Sequence, residues 1–149
     1  MMQNLKNSNI MNNEIKELVI PLDKVAHVQL GNPLEHALLV LIKSGYSAIP
    51  VLDSSYKLHG QISKALILDS ILGLERIELE RLNQSNVEDV MDSKIPRMNK
   101  NETFARALTL SINHPFVCIL DDDESFMGIL TRRSILALVN RYLRKANES

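Results

Sequence analysis

Apolar residues recur with the same spacing in two segments of the chain, and this spacing predicts the same elements in each. Apolar positions three and four residues apart indicate the buried face of a helix; they are Leu34, Ala37, Leu38 and Leu41, then Phe104, Ala107, Leu108 and Ile112. Short apolar runs bounded by turn residues predict two strands after each helix; they span residues 48–52 and 59–62, then 116–120 and 126–130.

The complete repeat is a β-α-β-β-α motif present twice. Its other predicted elements are a first strand at residues 25–30 or 95–98 and a final helix at residues 63–74 or 131–143. Equivalent residues are 70 positions apart up to the first helix and 68 apart after it, so the second copy lacks two residues between that helix and the next strand. The pattern predicts an α/β (α+β) fold with two tandem motifs related by a pseudo-twofold, not a solenoid.

Capping residues and changes in composition set the predicted bounds. Asn32 and Asn101 are the predicted caps of the two first helices, and Pro33 takes the first helical position. Helical register continues between the copies through residues 74–82. The predicted organisation is a flexible leader, a first motif with its connecting helix, and a second motif with a C-terminal helix; these are residues 1–13, 14–82 and 83–149.

Composition excludes several classes of function. The chain has 149 residues, of which 45% are hydrophobic and 23% charged, and its net charge is −1. This balance is typical of a globular protein and gives no electrostatic reason to expect nucleic-acid binding. The sequence has no apolar run of 18 residues and no signal peptide, so it predicts a cytoplasmic protein without a membrane partner.

Residues that could support catalysis or metal binding are few and scattered. The one cysteine, Cys118, lies among apolar neighbours and is interpreted as a core residue. The four histidines show no metal-ligand spacing, and neither a glycine-rich phosphate loop nor a nucleophile set is found. We therefore expect no enzyme, no catalytic residue, no metal and no resident cofactor.

The order of elements resembles a known family. The β-α-β-β-α unit occurs twice, with an apolar pair around a proline at residues 49–51 and a Gly-x-x-Ser/Thr turn before each final helix. This arrangement resembles a tandem CBS-domain pair, or Bateman module, over residues 20–142. The resemblance implies binding of adenine nucleotides in clefts between the copies and association of two modules as a disc.

Closer similarities narrow the resemblance. The segments concerned are residues 23–29, 34–41, 45–53, 73–78 and 131–133. They resemble the small stand-alone CBS-pair proteins of Gram-positive bacteria that bind cyclic di-AMP. The resemblance implies a non-catalytic receptor whose ligand is cyclic di-AMP and which changes its protein partners when that ligand is bound, with a stringent-response alarmone synthetase as one possible target.

The residues themselves support a phosphate site at the start of the last helix. Thr131, Arg132 and Arg133 begin that helix, where free backbone N–H groups and the helix dipole favour an anion. A guanidinium adds bidentate contacts to phosphate. The alternative is an exposed basic pair that opposes the dipole. If Arg132 binds phosphate, its removal is expected to weaken ligand binding and to leave the stability of the unliganded protein nearly unchanged.

The other candidate ligand residues lie in the first copy. Tyr46 has a ring that can stack on adenine, although a strand-edge tyrosine covering the core is an equal alternative. The predicted contacts beside the base are Lys24, Ala26, Val28, Ser47 and Ala48. Ala26 is small enough for its backbone to read the adenine edge, whereas core packing alone would also explain Val28.

One departure from the family pattern constrains the ligand. Many adenosine-binding CBS motifs carry an Asp three residues after the Ser/Thr, and here those positions hold Leu66 and Ser134. A free ribose diol loses its acceptor, which favours cyclic di-AMP over AMP, ATP or S-adenosylmethionine. The equivalent cleft has Lys64 in place of Arg132 and Pro96 in place of Ala26, and is predicted to bind weakly or not at all.

Two alternatives stay open at this point, a sensor of AMP, ATP or another adenosine ligand and a ligand-independent dimerisation module. A homodimer is predicted because apolar helix sides left exposed favour a partner. The residues expected on those exposed sides are Leu66, Ile67, Ile71, Leu108, Ile135 and Leu138.

Overall fold

The computed structural model describes residues 15–148, which divide into two compact units. Residues 26–95 form one of them, called here the first-motif unit. Residues 15–25 and 96–148 form the other, called the second-motif unit. The predicted leader, residues 1–13, lies outside the described residues.

The first-motif unit is a three-stranded sheet with helices packed against it. Its strands are β2 (Val28–Gln29), β3 (Ala48–Leu52) and β4 (Leu58–Ser63), with β2 parallel and β4 antiparallel to β3. Its helices are α2 (Leu34–Ser44), α3 (Lys64–Ile71) and α4 (Arg81–Gln84), followed by a 3-10 turn at Val87–Asp89. The buried core comprises Val28, Leu34, Ala37, Leu41, Ile49, Val51, Ile62, Ile67 and Val87.

The second-motif unit repeats this arrangement with one additional strand. Its sheet order is β1-β7-β6-β5, and the strands are β1 (Ile20–Pro21), β5 (Arg97–Asn99), β6 (Phe116–Leu120) and β7 (Phe126–Thr131). Its helices are α1 (Ile15–Leu18), α5 (Phe104–Ser111) and α6 (Arg132–Glu148), and a 3-10 turn spans Leu22–Lys24. The core comprises Ile15, Met98, Phe104, Ala107, Val117, Ile119, Leu130 and Ile135. The predicted β-α-β-β-α order is therefore confirmed in both motifs.

The central strands match their predictions most closely. β3 and β6 have the predicted bounds, and in each the last four residues are buried. A strand buried on both faces must be a continuous apolar run, and such a run is legible in the sequence. β4 and β7 extend past their predicted bounds to Ser63 and Thr131, the residues that cap the next helices.

The bounds of the first strand and the identity of the first helix cap were predicted wrongly in each motif. β2 retains only Val28 and Gln29 because the Val25 N–H closes a turn onto the Leu22 carbonyl (3.1 Å), and β5 spans Arg97–Asn99. Asn32 Oδ1 accepts from the Gln29 N–H (2.8 Å), so it does not cap α2.

The same two helices begin later than predicted. Pro33 is extended, with ψ 154°, and α2 therefore begins at Leu34. Thr103, not Asn101, caps α5 by accepting from the Arg106 N–H (3.3 Å). Glu102 is the second-motif counterpart of Asn32, and its Oε2 accepts from the Asn99 N–H (2.7 Å), so in both motifs this side chain bonds within its own loop and the helix starts after it.

The predicted helix between the motifs is replaced by a tight turn. α3 ends at Ile71, and Leu72 forms an antiparallel bridge with Ile77. The Gly73 N–H donates to the Arg76 carbonyl (2.8 Å), and a Cβ at Gly73 would lie 2.9 Å from Glu78 Cδ. α6, by contrast, continues beyond residue 143 to Glu148.

The segment before each motif lies on the last strand of the other motif. β1 precedes the first motif and pairs with β7 of the second. Asp92 precedes the second motif and exchanges two backbone hydrogen bonds with Gln61 of β4, both 2.9 Å. This exchange explains why the compact units differ from the predicted motif bounds, residues 14–82 and 83–149, which stay a prediction about the repeat.

The apolar helix positions expected to be exposed are partly in the cores. Ile67, Ile71 and Ile135 are no more than 1% exposed, and Ile67 and Ile135 belong to the cores of their units. Large apolar side chains that do face solvent are Leu39, Ile42, Leu68 and Leu136 on the helices and Ile112 just after α5. The helical spacing was predicted correctly, but part of the core face was assigned to the surface.

Candidate functional site

The predicted site residues fall into two groups, one in each unit. The first-motif unit contains Ala26, Val28, Tyr46, Ser47 and Ala48. The second-motif unit contains Lys24, Thr131, Arg132 and Arg133. Each group is described within its own unit.

The first group lies at the edge where β2 and β3 begin. Val28 is the parallel partner of Val51, so Ala26 lies toward the Ala48 end of β3. Tyr46 is 38% exposed between α2 and β3, next to Ser47. The structure thus places a small residue and an exposed aromatic ring in this part of the unit, and such a ring can stack on a flat base.

Val28 differs from the rest of its group. Its side chain is 2% exposed and packs in the first-motif core. Any contribution of Val28 to ligand binding is therefore restricted to its backbone.

The second group is built around the start of α6. The Thr131 hydroxyl accepts from the Ser134 N–H (3.1 Å) and donates to Ser134 Oγ (2.9 Å). Thr131 therefore caps α6, as predicted, and Arg132 and Arg133 follow it in the first helical turn. An anion at this end of the helix would meet two guanidinium groups and the positive end of the helix dipole, whereas the N–H groups of Arg132 and Ser134 already donate to Pro115 and Thr131.

Arg132 has a partner that the sequence did not indicate. Its Nε donates to the Ser111 carbonyl at the end of α5 (2.7 Å), and its backbone N–H donates to the Pro115 carbonyl (2.9 Å). The side chain is half-buried, whereas Arg133 is exposed. The guanidinium of Arg132 is therefore fixed, with its two Nη groups left for other acceptors.

Lys24 belongs to the second-motif unit but is not placed by the same elements. It ends the 3-10 turn after β1 and is exposed. β1 runs antiparallel to β7, so the chain leaves Pro21 toward the Phe126 end of that strand, away from Thr131. Strand pairing alone does not bring Lys24 beside the arginines.

Outside the two groups of site residues, the shifted pKa values of Cys118 and Asp53 are explained by burial and by a hydrogen bond within the fold. Burial raises the pKa of the Cys118 thiol to about 12, so the thiolate is scarce at neutral pH. His59 Nε2 lies 2.8 Å from Asp53 Oδ2 across the β3–β4 hairpin, and this hydrogen bond lowers the pKa of the Asp53 carboxyl. Within residues 15–148, no group of three or more potential metal ligands is found.

Among residues 15–148, no helix is both long enough and apolar enough to cross a bilayer.

Comparison with known proteins identifies the family. Residues 15–73 and 87–141 each match the CBS domain, which together is more than half of the chain. The chain belongs to the CBS domain family. The resemblance inferred from the sequence and the predicted fold class are thereby confirmed.

Relatives of this CBS protein include named receptors. It is 48% identical over 147 residues to cyclic di-AMP receptor B of Bacillus subtilis, covering 99% of this chain and 100% of that protein. A solved CBS domain-containing protein of Bacillus anthracis is 59% identical with a TM-score of 0.84, covering 89% and 96% of the two chains. The Listeria monocytogenes CbpB protein, solved in complex with c-di-AMP, is 56% identical with a TM-score of 0.82, covering 89% and 98%.

Proposed function

We propose that this CBS protein is a non-catalytic, cytoplasmic receptor for cyclic di-AMP that regulates partner proteins according to ligand occupancy. The observation that carries the proposal is the start of α6, where Thr131 caps the helix and Arg132 and Arg133 occupy its first turn. Similarity to receptors of the same ligand over nearly the whole chain supports it.

The chemistry of the second group suits a phosphodiester. Cyclic di-AMP carries two negative charges, and the N-terminus of α6, a helix of 17 residues, is the positive end of a helix dipole. Arg132 and Arg133 add guanidinium donors for phosphate, and Lys24 stays a proposed contact beside the base. A charge-assisted hydrogen bond of this kind contributes about 1.5 to 3 kcal/mol.

The first group suits the adenine. We assign the exposed ring of Tyr46 to stacking on the base and the small residues Ala26 and Ala48 to close approach of the backbone. Ser47 and the backbone of Val28 complete the proposed contacts. These roles stay proposals that single substitutions can test.

Binding is expected to be selective for cyclic di-AMP over AMP and ATP. Ser134 lies at the position where an acid would hold a free ribose diol. Its N–H donates to the Thr131 hydroxyl, and its own Oγ accepts from that hydroxyl. A ligand whose 3′ oxygen is esterified does not need that acid. Isothermal titration calorimetry with the three nucleotides checks this, and ATP binding as tight as cyclic di-AMP binding would favour the adenosine-sensor alternative.

A homodimer is expected in solution. Exposed apolar side chains are large and numerous for a chain of this size, including Leu68 at 50%, Leu136 at 52% and Ile112 at 71% exposed. Such surfaces favour a second copy. Light scattering at micromolar concentration should give twice the 16.9 kDa chain mass; a species of one chain mass alone would contradict the prediction.

The regulated partner is proposed from family resemblance. A stringent-response alarmone synthetase is the candidate target of the unliganded form. Titrating such a synthetase with the protein, with and without cyclic di-AMP, tests whether the ligand releases it.

A further inference from the structure

Arg132 is held from two directions by one short piece of chain. Its side-chain Nε donates to the Ser111 carbonyl, the last residue of α5 (2.7 Å). Its backbone N–H donates to the Pro115 carbonyl, just before β6 (2.9 Å). The α5–β6 connection, residues 112–115, therefore lies between the two acceptors that fix this arginine.

Lys64, the first-motif residue equivalent to Arg132, makes only one of these two hydrogen bonds. The Lys64 N–H donates to the Ser47 carbonyl (3.0 Å), the counterpart of the bond to Pro115. There, however, the preceding helix α2 has 11 residues, against 8 in α5. Gly45 then ends α2 in a left-handed conformation, φ 78°, and donates its own N–H to the Leu41 carbonyl (3.0 Å).

The missing two residues of the second copy are explained by this difference. α5 is three residues shorter than α2, while its connection to the next strand is one residue longer. The early end of α5 leaves the carbonyl of Ser111 directed at Arg132. Carbonyl groups at a helix C-terminus carry partial negative charge and favour a cation.

The bond to Ser111 also determines which guanidinium donors stay available. Nε is occupied, so the four N–H groups of the two Nη atoms form the planar fork that is left for other acceptors. A fork of this kind binds two phosphate oxygens at once. Ser111 is buried, and its own hydroxyl donates to the Leu108 carbonyl (2.7 Å), which makes the acceptor rigid.

We propose that the early end of α5 is a positioning device, in which the Ser111 carbonyl preorganises Arg132 for phosphate and so restricts phosphate binding to the second motif. This inference rests on the proposed function. Ser111 acts here as a positioning residue through Arg132. It follows that a Lys64→Arg change alone does not create a second phosphate site, since α2 ends differently.

A direct test needs no ligand. In uniformly labelled protein, NMR should detect a scalar coupling through the hydrogen bond between Arg132 Nε and the Ser111 carbonyl carbon, together with slow solvent exchange of that Nε proton. The Nε proton of exposed Arg133 is the internal control. Exchange of the Arg132 proton as fast as that of Arg133, with no coupling, would overturn the inference.

The second test lengthens α5. Insertion of two alanines after Ser111 restores the length found in the first motif, and the same insertion between Asp122 and Asp123, in the β6–β7 turn, is the matched control. Losing the fixed rotamer of one long side chain should weaken cyclic di-AMP binding by roughly two- to twelvefold. The control insertion should leave the affinity unchanged, and equal affinities in both variants would contradict the inference.

A combination with Arg132→Lys separates positioning from a simple loss of contact. If α5 acts through the guanidinium, the lysine change should cost less affinity in the lengthened protein than in the wild type. Strictly additive losses would overturn the inference. If wild-type protein does not bind cyclic di-AMP, the proposed function fails while the NMR coupling still decides on positioning, as it also does if the lengthened variant does not fold.

Discussion

Replacing Arg132 by alanine is expected to weaken cyclic di-AMP binding by about ten- to a hundredfold. The guanidinium is half-buried at the start of α6 and would pair with a ligand phosphate. Removing that pair loses a charge-assisted hydrogen bond of roughly 1.5 to 3 kcal/mol. Calorimetry on the wild type and the variant, at one salt concentration, measures the change.

The same substitution should also lower stability, which the sequence alone did not predict. An exposed cation at a helix start opposes the dipole by about 0.3 to 1 kcal/mol, so its removal would be neutral or slightly favourable. The bond from Nε to the Ser111 carbonyl reverses this expectation, because a hydrogen bond to a charged group contributes more than that repulsion. Urea unfolding should show a net loss of roughly 1 kcal/mol.

Lys64→Ala is the matched control. Lys64 follows the cap Ser63 in α3 as Arg132 follows Thr131 in α6. We expect its removal to leave the affinity unchanged. Unchanged affinity in Arg132→Ala together with a large loss in Lys64→Ala would mean that the phosphate is bound by the first motif.

Elements fixed by local sequence were predicted well. β3 and β6 are apolar runs buried on both faces, and Ser63 and Thr131 cap the helices that follow them. In each case the signal lies within about six residues, and neighbours along the chain are sufficient to specify the structure.

Two features were missed, one of which depends on a distant part of the chain. β1 exists because Ile20 pairs with Ile129, more than a hundred residues away, and two apolar residues alone do not indicate a strand. Beyond Ile71 the predicted helix is replaced by a local turn, which is closed by a hydrogen bond from the Glu78 N–H to the Ile71 carbonyl (2.6 Å). A tertiary contact overrides weak local preference at β1, and a turn does so after Ile71.

The candidate site follows the same division. Family motifs located its residues, and the cap at Thr131 was legible from the chain itself. The bond from Arg132 to Ser111 joins residues 21 positions apart, and only the two-residue difference between the copies hinted at it. Burial of Val28 in the core was the alternative that residue chemistry had left open.

Gly128→Ala is expected to cost roughly 3 kcal/mol of unfolding free energy, the upper part of the range for forcing atoms into packed space. A Cβ at Gly128 would lie 2.0 Å from the Ile20 carbonyl oxygen and 2.9 Å from Val19 Cγ1. Backbone cannot give way as a flexible side chain can, so β1 must separate from β7. Urea unfolding of both proteins measures the loss, and exchange of the β1 amides should quicken at the same time.

Gly31→Ala separates this close approach from backbone conformation. Gly31 has φ 88°, and a Cβ there meets nothing within 4 Å, so alanine brings only the left-handed strain of about 1 to 2 kcal/mol. Gly60→Ala should resemble Gly128→Ala instead, because its Cβ would lie 2.5 Å from the Asp92 carbonyl oxygen. If Gly128→Ala costs no more than Gly31→Ala, the contact with Ile20 is not what requires glycine on β7. A larger loss of unfolding free energy for Gly128→Ala and Gly60→Ala than for Gly31→Ala would establish that each motif needs a glycine on its last strand. That glycine leaves room for the segment that precedes the other motif.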